Sequence, residues 1–180
     1  MNSNSETNQK PQQELPQQPE PTPAPAPKPD APQTVPQEQT PSHQPTDARE
    51  FQAGVYEMLE LINAERAKAG VAPLQLHKEL TAVAQEKSED MVRNNYFSHT
   101  SPTYGSPFDM MKKFGINYAA AGENIAINSS IQKAHIAFMN SDGHRKNILN
   151  PNFTHIGIGI AKDPTNYNSY KITQMFIKSR

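Results

Sequence analysis

The chain has no cysteine among its 180 residues. That excludes disulfides and thiolate metal sites, so any metal centre has to be built from imidazole and carboxylate. It does not exclude an extracellular location, because a domain of ordinary size folds without covalent staples. Long apolar runs are also missing, so no transmembrane segment is expected. The opening "MNSNSETNQK" is polar throughout and is no signal peptide. Clusters of lysine and arginine are absent too, which argues against a nucleic-acid partner. Neither an HExxH, a GxSxG nor a P-loop motif occurs.

What the chain does have is sharply divided. Residues 1–50 carry 12 of the 17 prolines, with 3 basic and 7 acidic side chains, whereas the remainder carries 14 and 11. A Pro/Gln-rich stretch of this kind, typified by "PEPTPAPAPKPDAP", cannot bury enough surface to offset its ordering entropy. The expectation for 1–47 is therefore a disordered linker or wall spacer with polyproline II character. Residues 48–180 have the size of one domain. A spacer in front of a compact domain suits an exported protein, so an export signal is expected to have been trimmed ahead of it.

Within the domain, Asp47 and Glu50 have capping-box spacing. Phe51, Val55, Met58, Leu59 and Ile62 then mark one face of a helix that Gly70 ends. A second helix is expected from Glu79 to Asn94, with Leu80, Val83, Ala84, Met91 and Val92 inward. Ser106, Pro107 and Asp109 open a short third helix that ends at Gly115. Ser129 and Gln132 open a fourth, through Asn140. "ENIAI", "HIGIGIA" and "YKITQMFI" read as strands, the last two joined by the hairpin-like "KDPTNYNS". In "HIGIGIA" the isoleucines point one way and His155, Gly157 and Gly159 the other, and glycines there mark a close approach by another backbone or a bulge. Helices over an antiparallel sheet, α+β in class, follow.

The candidate chemistry lies in loops. His99 sits in "YFSHTSPTYG", with Ser98 and Ser101 as neighbours, and is open to three readings: metal ligand, base of a serine pair, or plain polar residue. Adjacent side chains in an extended loop point apart, which counts against the serine pair. His144 lies in "SDGHRKNILNP", a polar turn, and Glu123 stands at the mouth of a strand. Two histidines and a carboxylate suit zinc and leave positions for water or ligand. His43, His77, His135 and His155 are read as inert, capping or structural residues.

"LINAERAKAGVAPLQLHKELTAVAQEKSEDM", "FSHTSP", "GENIA", "SDGHRKNIL" and "HIGIGIA", in that order, resemble the CAP superfamily. This is the SCP domain of cysteine-rich secretory proteins, insect-venom antigens and plant pathogenesis-related proteins. The cysteine-free form with "GHRKNIL" looks like the bacterial YkwD-type branch. The resemblance implies a three-layer α–β–α sandwich with a central antiparallel sheet and a surface cleft holding a His/Glu cluster. It places His99, Glu123 and His144 in that cleft as metal ligands, with Ser98 beside them, and implies zinc or another divalent cation. The family's second acid has no clear counterpart; Asp142 is the nearest substitute. Asn63, Arg66, Gly122 and Asn124 fall on the structural signature. The resemblance further implies an extracellular, cell-wall or spore-surface protein that binds a small molecule, lipid or wall component without catalysis. The alternatives are a metal-assisted hydrolase of wall or peptide substrates, and a structural spore or wall component with an idle cleft.

Overall fold

The apolar stripe that begins at Phe51 folds as the inner face of α1 (Pro45–Lys68), in a computed structural model that describes residues 45–165 and 169–180. Most of the expected linker, 1–44, lies outside the described residues. Its last three positions, 45–47, belong to the helix, which starts two residues ahead of Asp47. Gly70 follows the helix at φ 69°, a left-handed conformation that glycine adopts without strain. A two-residue strand, β1 (Gln75–Leu76), leads into α2 (Lys78–Arg93), whose N-cap is His77: its side chain accepts from Leu80 N. In α3 (Pro107–Lys113) Ser106 and Asp109 form a complete capping box.

The remaining elements are β2 (Ala120–Asn128), α4 (Ile131–Asn140), α5 (Asp142–Ile148), β3 (His155–Lys162) and β4 (Tyr170–Lys178). The cap of α4 is Ser130, one residue after the expected Ser129; its side chain accepts from Lys133 N. The centre of the β3–β4 connection, 166–168, lies outside the described residues.

The sheet runs β1-β3-β4-β2. β2, β3 and β4 pair antiparallel, but β1 joins β3 in parallel, so the sheet is mixed rather than wholly antiparallel. The reason is local: the chain coming off α1 meets β3 for only two residues, Gln75 against His155 and Leu76 against Ile156, before His77 starts α2. Beyond Ile156 the outer edge of β3 has no strand beside it among the described residues. There the Gln85 side chain takes over: its Oε1 accepts from Ile160 N and its Nε2 donates to Ile160 O, both at 2.8 Å.

Strand alternation separates two cores. Ile156, Ile158, Ile160, Ile172 and Phe176 pack with Val55, Met58 and Ile62 of α1, Phe138 of α4 and Ile148 of α5. On the other face, Met175 and Ile177 pack with Leu80, Val83 and Ala84 of α2 and with Met110 and Met111 of α3. Gly157 and Gly159 face α2 so closely that a Cβ on them would fall 2.3 Å from Leu80 C and 2.0 Å from Ala84 O. This is the close backbone approach expected of them, and it makes three layers.

Arg66 and Asn63 tie α1 to what lies beyond it. Arg66 is fully buried and donates to four carbonyls, of Ala72, Ile148, Asn150 and Phe153, at 2.7–3.2 Å. Asn63 exchanges two bonds with the backbone of Leu74.

Candidate functional site at the edge strand

β2 is an edge strand, and two neighbouring residues on it look to opposite faces. Glu123 pairs in register with Met175, on the α2 side, and Asn124 with Gln174, on the α5 side. The site forms around this edge. From the α2 side comes the loop after α2, which brings His99 Nδ1 to 2.7 Å from Glu123 Oε1. With the proton on Nδ1 the imidazole donates to the carboxylate, which fixes the ring and leaves Nε2 for a ligand. Glu123 is buried, His99 about half exposed.

Glu123 Oε2 is also buried but has no hydrogen-bond partner among the described residues. Burial pushes the Glu123 carboxyl above its ordinary pKa, against the opposing pull of the His99 hydrogen bond and the Lys87 charge. An orphan oxygen on a desolvated carboxylate is costly unless something donates to it or coordinates it.

His144 approaches from the α5 side. The expected polar turn is a helix, and His144 stands in its first turn with its ring edge-on to Phe138. α5 starts one residue after α4 ends, and Ser141 between them makes no side-chain cap, so no capping signal marks it. Asn124 Nδ2 donates to His144 O at 3.1 Å and to Gln174 Oε1. Asn147 Nδ2 donates to Glu123 O and Asn124 Oδ1. Gly122 gives Asn147 room: a Cβ there would lie 3.2 Å from Asn147 Oδ1. Burial, and after it the nearby His99, holds the His144 pKa below its usual value, which favours the neutral ring.

Other expected residues stand apart. Asp142 is exposed and pairs with Arg145 at 2.5 Å, so its carboxylate is committed outside the cluster. Ser98 Oγ accepts from Thr100 N, and Ser101 Oγ donates to Asp90, so neither serine pairs with His99. His155 meets His77 edge-on at the opposite, β1 side of the sheet. His135 is buried on α4, with its pKa lowered by that burial. No group of three or more His, Asp or Glu side chains among the described residues is already gathered as a metal cage. Two cavities, of about 750 and 270 Å³, flank α1, and neither is lined by His99, Glu123 or His144. The His99–Glu123 pair is singled out by its chemistry rather than by its concavity.

The sequence profile of the cysteine-rich secretory protein family matches residues 59–176. The chain belongs to the CAP family. The uncharacterized protein YkwD of Bacillus subtilis (strain 168) is 49% identical over 148 residues, which are 82% of this chain and 54% of that protein. The uncharacterized membrane protein YlbC of the same organism is 41% identical over 123 residues, 68% of this chain and 34% of that protein. Among solved structures, an extracellular protein containing a SCP domain from Bacillus anthracis superposes with a TM-score of 0.69 at 32% identity. That match covers 78% of this chain and 45% of the other. The chain thus spans about half the length of YkwD and less of the other two. It is a CAP protein of the bacterial YkwD type.

In this CAP domain the support beneath the site is charged, which sequence reasoning passed over. Lys87 is fully buried on α2 and donates to Tyr96 OH at 3.2 Å, Ser98 O at 2.8 Å and His99 O at 2.9 Å. Asp90, also fully buried, accepts from Ser101, Thr103, Asn94 and Tyr96. Burial alone would raise the Asp90 pKa, but these four bonds outweigh it and hold the carboxyl below its ordinary value. Lys171 on β4 donates to Met91 O and Tyr96 O from the other side. A signal for Lys87 did exist: Leu80, Val83, Ala84, Lys87 and Met91 recur at helical spacing, with a charge inside an apolar stripe.

Proposed function

We propose that this CAP domain is a non-catalytic binding module whose His99–Glu123–His144 cluster takes a divalent cation, zinc by preference, alone or as the anchor for a small or lipid-like ligand. The observation that carries the reading is Glu123 Oε2, buried and without a partner among the described residues, beside an imidazole already oriented by Oε1. Borderline metals favour such donors: His99 Nε2 and the neutral His144 ring supply nitrogen, and Glu123 supplies charge directly or through the His99 hydrogen bond. The bound metal would offer Lewis acidity, but the flanking serines bond to Thr100 N and Asp90 rather than to His99, so no serine–histidine pair stands beside it. One carboxylate in place of two, with Lys87 and its positive charge close behind, favours modest affinity. The likeness to an extracellular SCP-domain protein supports a secreted protein; a place at the cell wall or spore surface is part of the same proposal.

The test is thermal unfolding with and without zinc. At a concentration 100 times its dissociation constant zinc adds about 2.7 kcal/mol, worth about 8 °C at roughly 3 °C per kcal/mol for a domain of this size. His99→Ala and His144→Ala each remove the shift, and it fades in acid as protons compete with the metal for its ligands. An unchanged melting curve in excess zinc at neutral pH would refute the reading.

A further inference from the structure

On the inward stripe of α2, Lys87 occupies a place where an apolar residue would satisfy packing without removing an ammonium from water. Its three donors are fully used, and two of them go to consecutive peptide groups. The Ser98 carbonyl belongs to the peptide plane before the His99 Cα, and the His99 carbonyl to the plane after it. Binding both planes to one buried point sets φ and ψ of His99, and with them the direction of its Cα–Cβ bond. The side chain then needs only its own two torsions to reach Glu123 Oε1 at 2.7 Å. Asp90 and Lys171 hold the flanking residues Tyr96 and Ser101, but neither touches the backbone of His99.

We propose that Lys87 is the positioning residue of the site: from beneath, it aims the His99 imidazole at Glu123 and presents Nε2 outward, without touching a ligand. The role deepens the reading of the cluster as a ligand site and rests on that reading for its purpose. The orientation of His99 can nevertheless be measured with no ligand present.

The experiment compares Lys87→Met with Lys171→Met, an equally buried lysine that holds the same loop at Tyr96. In metal-free, nitrogen-15-labelled protein, a His99 Nδ1 proton bonded to Glu123 gives a downfield resonance, identified by its loss in His99→Gln. Lys87→Met is expected to fold and lose this resonance, whereas Lys171→Met keeps it. Zinc affinity should fall about 10- to 100-fold in the first variant, as for other residues that orient a ligand. A folded Lys87→Met protein that retains the resonance overturns the proposal. Should Lys87→Met fail to fold, Lys87→Gln, too short to reach both carbonyls, faces the same two outcomes. In the wild type, the Lys87 ammonium must exchange slowly and couple to both the Ser98 and His99 carbonyl carbons; exchange as fast as a surface lysine also overturns it. If wild-type protein fails to bind zinc, the cation reading falls, and the resonance comparison still decides what Lys87 does.

Discussion

Replacing Gly159 by alanine would add one methyl group where β3 and α2 approach most closely. The added Cβ would lie 2.0 Å from Ala84 O, 2.2 Å from Ala84 C and 2.5 Å from Gln85 N. All three are backbone atoms, so no side chain can rotate away, and ordinary contact at about 3.5 Å requires the helix to retreat by more than 1 Å. A gap of that width forfeits a quarter to a half of each dispersion contact beneath the helix. Leu80, Val83, Ala84 and Met91 are all buried there. Overpacking costs about 1–3 kcal/mol where side chains can yield; with backbone on both sides the upper end applies. At about 3 kcal/mol the melting temperature falls by about 9 °C. Urea and thermal unfolding followed by far-UV circular dichroism measure it. Gly143→Ala is the control: nothing lies within 4 Å of the added Cβ, and alanine in a helix is neutral to about 1 kcal/mol better than glycine. A Gly159→Ala protein as stable as the wild type would refute the proposed packing of α2 on the sheet.

Two further outcomes are expected. Arg66→Met strands four carbonyls and should lower stability by several kcal/mol, since each buried acceptor left unsatisfied costs about 1–3 kcal/mol; a loss comparable to an exposed substitution, by urea unfolding, would contradict the geometry. Glu123 has a folded pKa raised by burial, so its contribution to stability is full below the unfolded value of about 4.3 and is lost as pH rises through the folded value. Glu123→Gln should therefore raise the melting temperature at pH 7, with the gain shrinking toward pH 4; a variant less stable than wild type at pH 7 would reverse that sign.

Local signals in the sequence were borne out at three places, while the capping boxes expected at Asp47 and Ser129 lay one or two residues from the helix starts found. His77 caps α2, Ser106 and Asp109 box α3, and the alternating glycines of β3 meet a helix backbone. Elements without such a signal were illegible. β1 is two residues long and exists only because β3 is beside it, and α5 has a glycine at its second position and no side-chain cap. The site was legible as residue types but not as an arrangement. That His99 and Glu123 meet follows from β2 being an edge strand, and strand order is not written in any local pattern. Lys87 and Asp90 were missed for a different reason. Charged side chains are by default exposed, and their burial is set by partners far along the chain, such as His99 and Thr103.

The pairing of Gln85 with Ile160 bears on how copies of this protein behave toward one another. An open strand edge is a template for any extended chain, and recruitment through it is a common start of association. The amide of Gln85 copies the donor and acceptor of one backbone residue and stays attached to its own helix, so it occupies the edge without extending it. A strand added from outside would have to displace both bonds at once. At Ile160, then, the strand edge is already hydrogen-bonded within the chain, and pairing with a second copy there would first have to break both bonds.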